Sequence, residues 1–217
     1  MKATPFAFPR LPKALPAGSL WLAALLYLAG VWMMLDDRWR PLPELPASLS
    51  PAAFATAWAA GQVIVLIRHE ERCDRSSNAC LGPADGITQA GSSEAARLGV
   101  AFSELGLAFS DLYHSPATRT TQSAASMFGG RSLARDWAAQ CREGGLQVFG
   151  QNKARQRNLV VVTHSECIDG ILDALRQDDD NIGYGSALFL RVAADGSIAP
   201  LALIGAQAWI AQAAVAR

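Results

Sequence analysis

Two of the chain's three histidines stand where apolar runs stop. Val63-Ile64-Val65-Leu66-Ile67 ends at Arg68-His69-Glu70-Glu71-Arg72, and Leu159-Val160-Val161-Val162-Thr163 ends at His164. A third cationic position, Arg119, lies shortly after a Ser115-Pro116 pair. Guanidinium forks match phosphate oxygens bidentately. Several positive groups around one spot suit a phosphoryl group, whose oxygens carry the charge that catalysis must stabilise. A neutral imidazole is a competent nucleophile toward phosphorus. A second, protonated imidazole can donate to an equatorial oxygen, and a carboxylic acid must protonate the leaving oxygen. One histidine at a strand end is ordinarily a packing residue. Two of them, each closing an apolar strand and one flanked by arginines, point to a site.

The elements that must position these residues follow from the pattern. The runs at 63–67 and 159–163 read as strands buried on both faces. Residues 54–60 form a short Ala-rich helical stretch, and 73–86 a polar loop. Thr88 is placed to cap a helix over 90–105, which Gly106 ends. A short strand is expected at 108–113, a helix at 117–128 begun by Ser115-Pro116 and stopped by Gly129-Gly130, and a third strand at 132–137. Residues 138–157 are weakly patterned and hold one helix. A helix is expected at 168–175, then an acidic, solvated loop at 177–181. Residues 187–192 and 198–204 read as a hairpin across Asp195-Gly196, and the tail from Gly205 as an Ala-rich helix. Alternating strands and helices predict a three-layer α/β/α sandwich with a largely parallel central sheet. Parallel strands put their C-terminal ends on one edge, so His69, the 115–119 segment and His164 fall together there.

Lys+Arg and Asp+Glu balance at 19 each, which gives no bias toward nucleic acid. Apolar residues make up 51% of the chain, ample for a core. Residues 19–35 carry no charge and include Trp21, Tyr27 and Trp32. About 20 apolar residues span a bilayer, with a lower limit near 17. Lys2, Arg10 and Lys13 precede the run, so residues 1–18 are expected in the cytoplasm, 19–35 as an uncleaved transmembrane helix, and the remainder across the membrane. A cleaved signal peptide is the competing reading. Residues 36–51, with Pro41, Pro43, Pro46 and Pro51, form a stiff linker to a domain over 52–217.

Four cysteines, Cys73, Cys80, Cys141 and Cys167, permit disulfides beyond a membrane, and Cys73 with Cys80 could close the polar loop. Free buried thiols are the alternative. Zinc ranks low because the spacing does not suit a metal knuckle. No metal or cofactor is expected.

Arg68-His69-Glu70 resembles the Arg-His-Gly signature of the histidine phosphatase superfamily, the phosphoglycerate mutase-like fold. Residues 86–91 followed by 94–99 resemble its Leu-Thr-x-x-Gly helix start. Residues 113–124 resemble its Ser-Pro-x-x-Arg segment, and Val161-Val162-Thr163-His164 its second histidine motif. The stretch from Arg68 to Thr88, with Cys141 and Cys167, is similar to the lipopolysaccharide core heptose(II)-phosphate phosphatase subgroup, whose members work outside the cytoplasm. The resemblance implies a phosphohistidine on His69, with Arg68, Arg119 and His164 on the phosphoryl oxygens and Arg72 as an additional phosphate-binding arginine. It implies structural roles for Thr88 and Gly91. A site outside the cytoplasm agrees with the expected anchor and paired cysteines, which predict an inner-membrane protein with a periplasmic catalytic domain; the substrate implied is a phosphorylated small molecule or glycolipid headgroup.

Two departures stand out. Glu70 replaces the usual glycine, so its carboxylate must point away from the phosphate or tune His69. The general acid is not marked by a motif: Glu143 leads, with Asp136 and Glu166 as rivals. His114 stands where relatives have a small residue, as a pocket wall or as packing. The competing functions are a metabolic sugar-phosphate phosphatase or mutase and a non-catalytic phosphate-binding envelope module.

Overall fold

The computed structural model describes residues 40–41, 51–141, 144–178 and 182–215. Most of the expected linker, the expected anchor over 19–35, and Glu143 lie outside the described residues. Among the described residues no helix is long and apolar enough to cross a membrane.

In chain order the elements are β1 (Arg40–Pro41), α1 (Pro51–Ala59), β2 (Val63–Arg68), α2 (Gln89–Leu105), β3 (Ser110–His114), α3 (Thr118–Phe128), β4 (Leu133–Ala134), α4 (Gly145–Gln151), β5 (Asn158–Thr163), α5 (Ser165–Ala174), β6 (Gln177–Asp178), β7 (Ala187–Val192), β8 (Ile198–Ile204) and α6 (Ala206–Val215). Single 3₁₀ turns lie at Cys73–Arg75 and Asp136–Ala139. The main sheet runs β4-β3-β5-β2-β7-β8.

β2 is the centre of this sheet because its side chains can go nowhere else. Val63 to Ile67 are all at 0% exposure, and burying each stabilises by about 1.5–3 kcal/mol. Their alternation divides the core. Val63, Val65 and Ile67 pack with Phe102, Phe128, Phe189 and Trp209 on one face. Ile64 and Leu66 pack with Phe149, Ile168 and Ile171 on the other. Two cores on opposite faces of one sheet make the three layers. Buried Asn158 anchors the start of β2: its Oδ1 accepts from the Val63 amide (3.0 Å) and its Nδ2 donates to the Trp58 carbonyl (2.9 Å).

The sheet corrects one expectation. β4, β3, β5 and β2 are parallel, but β7 pairs antiparallel with β2 and β8 antiparallel with β7. The sheet is therefore mixed rather than largely parallel. The expected hairpin accounts for β8, since the tight connection at Asp195-Gly196 can join only antiparallel neighbours and Gly196 takes the left-handed backbone such a turn needs (φ +86°); the direction of β7 against β2 is set by where the chain returns to the sheet after α5.

Other differences are local. The third strand, expected over 132–137, shrinks to Leu133–Ala134, both exposed at the sheet edge, and then enters a 3₁₀ turn. β6 begins the stretch expected as a solvated loop, and pairs in parallel with Arg40–Pro41 of the expected linker. Thr88 caps α2 as expected, its Oγ1 accepting from the Gly91 amide at 2.9 Å. All four cysteines are bridged, Cys73 to Cys80 and Cys141 to Cys167.

Candidate active site

The parallel ladder sets the site. The His69 amide donates to the Thr163 carbonyl (3.0 Å) and the Ser115 amide to the Val162 carbonyl (3.1 Å). The three strand ends of β2, β3 and β5 are thereby held side by side, as the parallel arrangement predicts. α3 is tied to the same place. The Glu70 amide donates to Ser123 Oγ (2.9 Å), and that hydroxyl donates to the Arg119 carbonyl (2.8 Å).

His69 and His164 meet edge to face with ring centroids 5.5 Å apart. Arg119 stands between them. Its Nε donates to His69 Nε2 (3.1 Å) and its Nη2 to His164 Nδ1 (3.1 Å). His69 Nδ1 carries a proton and donates it to the Glu70 carbonyl at 2.8 Å. Nε2 is therefore the atom with a lone pair, facing the arginine. Burial, together with the charges of Arg119, His164 and Arg68, lowers the His69 pKa to about 3 against the opposing backbone bond. His164 is lowered to about 4, by burial first and then by Arg119 and Arg72, with Glu166 opposing. Both rings are neutral at neutral pH. With Nδ1 accepting from Arg119, the His164 proton sits on Nε2 and is donated to Ser115 Oγ (2.8 Å).

The structure brings His69, His164 and Arg119 into contact, while Arg68 and Arg72 are engaged by other groups nearby. Arg68 lies over the Tyr184 ring (4.1 Å to the centroid) and donates to the Ile182 carbonyl, while its charge acts on His69. Arg72 is engaged bidentately by Asp74, with its Nε 2.8 Å from Oδ1, and its charge still reaches Arg119 and His164. Of the rival carboxylates, Glu166 is in the field of this cluster. It lies two residues beyond His164 in the first turn of α5. Its own backbone hydrogen bond and then the charges of His164 and Arg119 hold its carboxyl below the ordinary range. Asp136 is exposed in the 3₁₀ turn after β4, and no bond links it to either histidine. His114 is packed rather than a wall: it is buried with Nδ1 3.1 Å from Ser132 Oγ. The Glu70 side chain turns away from Arg119 toward Gly91 and Gly185.

Two residues of the cluster were not foreseen as site residues. Ser115 carries a signal in retrospect, since it opens the segment leading to Arg119. Tyr184, whose ring is 5.9 Å from that of His69, carries none. It arrives from a loop more than a hundred residues away in the chain.

No family model matches the chain. Its architecture does match solved structures. A phosphoglycerate mutase from Bacillus anthracis str. Sterne superposes with a TM-score of 0.50 at 15% identity, over 72% of this chain and 99% of that one. A phosphoserine phosphatase from Entamoeba histolytica, in complex with 3-phosphoglyceric acid, gives 0.50 at 17% identity, over 68% and 98%. The fold is the one that this mutase and this phosphatase share. Within it, the sequence is similar to curated proteins named lipopolysaccharide core heptose(II)-phosphate phosphatase. Those of Escherichia coli O139:H28 (strain E24377A / ETEC) and of strain K12 / DH10B are each 38% identical over 136 residues, 60% of this chain. The match spans 66% of those relatives' length, just under two thirds. The relatives carry phosphatase names, in line with the enzyme class expected from the motifs.

Proposed function

We propose that the chain is a phosphomonoester hydrolase that works through a phosphohistidine on His69. The observation that carries this is the state of His69: a neutral ring with its one proton fixed on Nδ1 and a lone pair on Nε2 beside the Arg119 guanidinium and His164. A phosphoryl group entering there takes the donors of Arg119, with Arg68 and Arg72 adding positive charge at longer range. Its negative charge favours a second proton on His164, whose Nδ1 then donates to an equatorial oxygen. Nε2 of His69 attacks phosphorus as the ester P–O bond breaks, and the leaving oxygen takes a proton from Glu166. Charge brought in by the phosphate offsets the cations that keep Glu166 ionised in the free protein. In the second step water attacks phosphorus as the P–N bond breaks, Glu166 accepts the water's proton, and inorganic phosphate leaves with the His69 Nε2 lone pair restored.

The substrate proposed is an envelope sugar phosphate such as lipopolysaccharide core heptose phosphate. It is supported by the similarity to relatives bearing that name. A periplasmic site for the domain, with the chain anchored in the inner membrane through residues 19–35, is supported by the uncharged run after Lys2, Arg10 and Lys13. Two disulfides also favour an oxidising compartment. Rapid quench with labelled phosphomonoester is the test. Wild type should trap acid-labile, base-stable label on His69, and His69→Ala should trap none and turn over no substrate. Activity retained in His69→Ala would sink the reading.

A further inference from the structure

Beside Glu70 lies a cavity of about 730 Å³ that neither His69, His164 nor Arg119 lines. It opens between the start of α2, the loop before β7 and the start of α6. Three of its walls are carboxylates, Glu70, Glu71 and Glu94, and among the described lining residues there is no lysine, arginine or histidine. Two of the three are held in place from behind. Glu71 Oε2 accepts from Asn78 Nδ2 (2.8 Å) and Thr88 Oγ1 (2.7 Å). Glu94 accepts from Arg97 and from Gln207 of α6. The third is buried with one oxygen left over: Glu70 is 2% exposed, and its Oε1 finds no hydrogen-bond partner among the described residues. A buried polar atom left so is costly. Gly185, at φ +69°, passes close enough that a Cβ there would lie 2.6 Å from that oxygen, so the backbone is shaped around it.

We propose that this cavity is a binding site for the ammonium group of a small organic amine, received by Glu70 with Glu71 and Glu94 around it. The carboxylates call for a cationic donor, and charge-assisted bonds are the strong ones. The volume fits an organic molecule rather than a bare ion, and among the described residues no group of three or more His, Cys, Asp or Glu is gathered closely enough to hold a metal. The groups facing Glu70 give the binding a signature. Burial first, then Glu94 and Glu71, raise its pKa to about 8, with Arg97 and Arg68 opposing. Glu70 is thus protonated at neutral pH, and an ammonium group displaces that proton to solvent. The cavity shares Tyr184 and Glu70 with the histidine cluster but holds none of the groups that act on phosphorus.

Calorimetric titration of the full chain with putrescine, and with butanediol as its uncharged match, tests this. Putrescine should bind saturably at neutral pH, one molecule per chain, and butanediol should not. The heat should vary with the ionisation enthalpy of the buffer, because a proton is released. Glu70→Gln should abolish that variation and weaken binding by about tenfold or more. Glu94→Gln, on the rim of the cavity, should weaken binding several-fold while keeping the proton release and leaving p-nitrophenyl phosphate turnover unchanged. His69→Ala should bind as wild type does. Equal binding of butanediol, no saturable binding of putrescine, or putrescine binding unaltered in both carboxylate variants would overturn the proposal.

Discussion

Ser115 receives the Nε2 proton of His164 across 2.8 Å, and in doing so turns Nδ1 toward Arg119. The hydroxyl is itself fixed, 2.8 Å from Thr120 Oγ1, and both residues are fully buried. Ser115 is therefore a positioning residue for His164.

Ser115→Ala should leave the fold intact and lower kcat/KM by roughly tenfold, the loss of one hydrogen bond to an ionising partner. The acid limb of the pH profile should shift with it, because the His164 cation loses an acceptor. A packing role alone would leave that limb in place, so a full pH–rate comparison of the two proteins decides between them.

Glu166→Gln should depress turnover of alkyl phosphates far more than that of p-nitrophenyl phosphate, whose leaving group scarcely needs a proton. Steady-state rates on the two substrate types give the answer. Equal loss on both would remove Glu166 from the acid role and pass it to Glu143.

Stability should respond to pH in opposite senses at the two neighbouring positions 69 and 70. Glu70 has a folded value of about 8 against 4.5 for an unperturbed group, so its contribution is full below 4.5 and is lost as pH rises to about 8. His69 is lowered from 6.5 to about 3, so its contribution is present above 6.5 and is lost as pH falls toward 3. Glu70→Gln should accordingly gain stability relative to wild type as pH climbs from 4.5 to 8, by an amount on the order of a few kcal/mol. Thermal melts of the pair across that window measure it. A constant difference in Tm would refute the buried protonated carboxyl.

The disulfides should open in a fixed order. Cys80 is exposed, whereas Cys141 and Cys167 are both buried. Mild reductant followed by alkylation should label Cys73 and Cys80 first. Removing the Cys141–Cys167 bridge, which closes 26 residues, should cost about 3.5 kcal/mol on chain-entropy grounds. Removing the Cys73–Cys80 bridge, which closes 7, should cost about 2.4 kcal/mol. Mass spectrometry over the reduction course and paired denaturant melts test both statements.

Where the chain announced itself, a local cause was strong enough to be read. β2 and β5 are too apolar to be anything but central strands, and Asp195-Gly196 marks its hairpin. The meeting of His69, His164 and Arg119 followed from strand polarity alone. What stayed hidden depends on where distant segments return. β7 lies against β2, which mixes the sheet, although the two are far apart in sequence. Tyr184 reaches the His69 ring by the same return. Arg72 looked free to meet phosphate, and only its rotamer reveals that Asp74, two residues on, occupies it. Residues 132–137 lost most of their strand because Leu133 and Ala134 sit at an exposed edge with one neighbour.

The acceptor for His69 Nδ1 is a peptide oxygen, that of Glu70, and not a side chain. No codon change can delete it. A saturation scan of position 70 would alter the carboxyl and leave the imidazole tautomer as it is, so a genetic screen would pass over one of the groups on which the nucleophile depends. Only chemistry on the main chain, an ester in place of an amide or a synthetic isostere of the carbonyl, could ask how much that oxygen is worth.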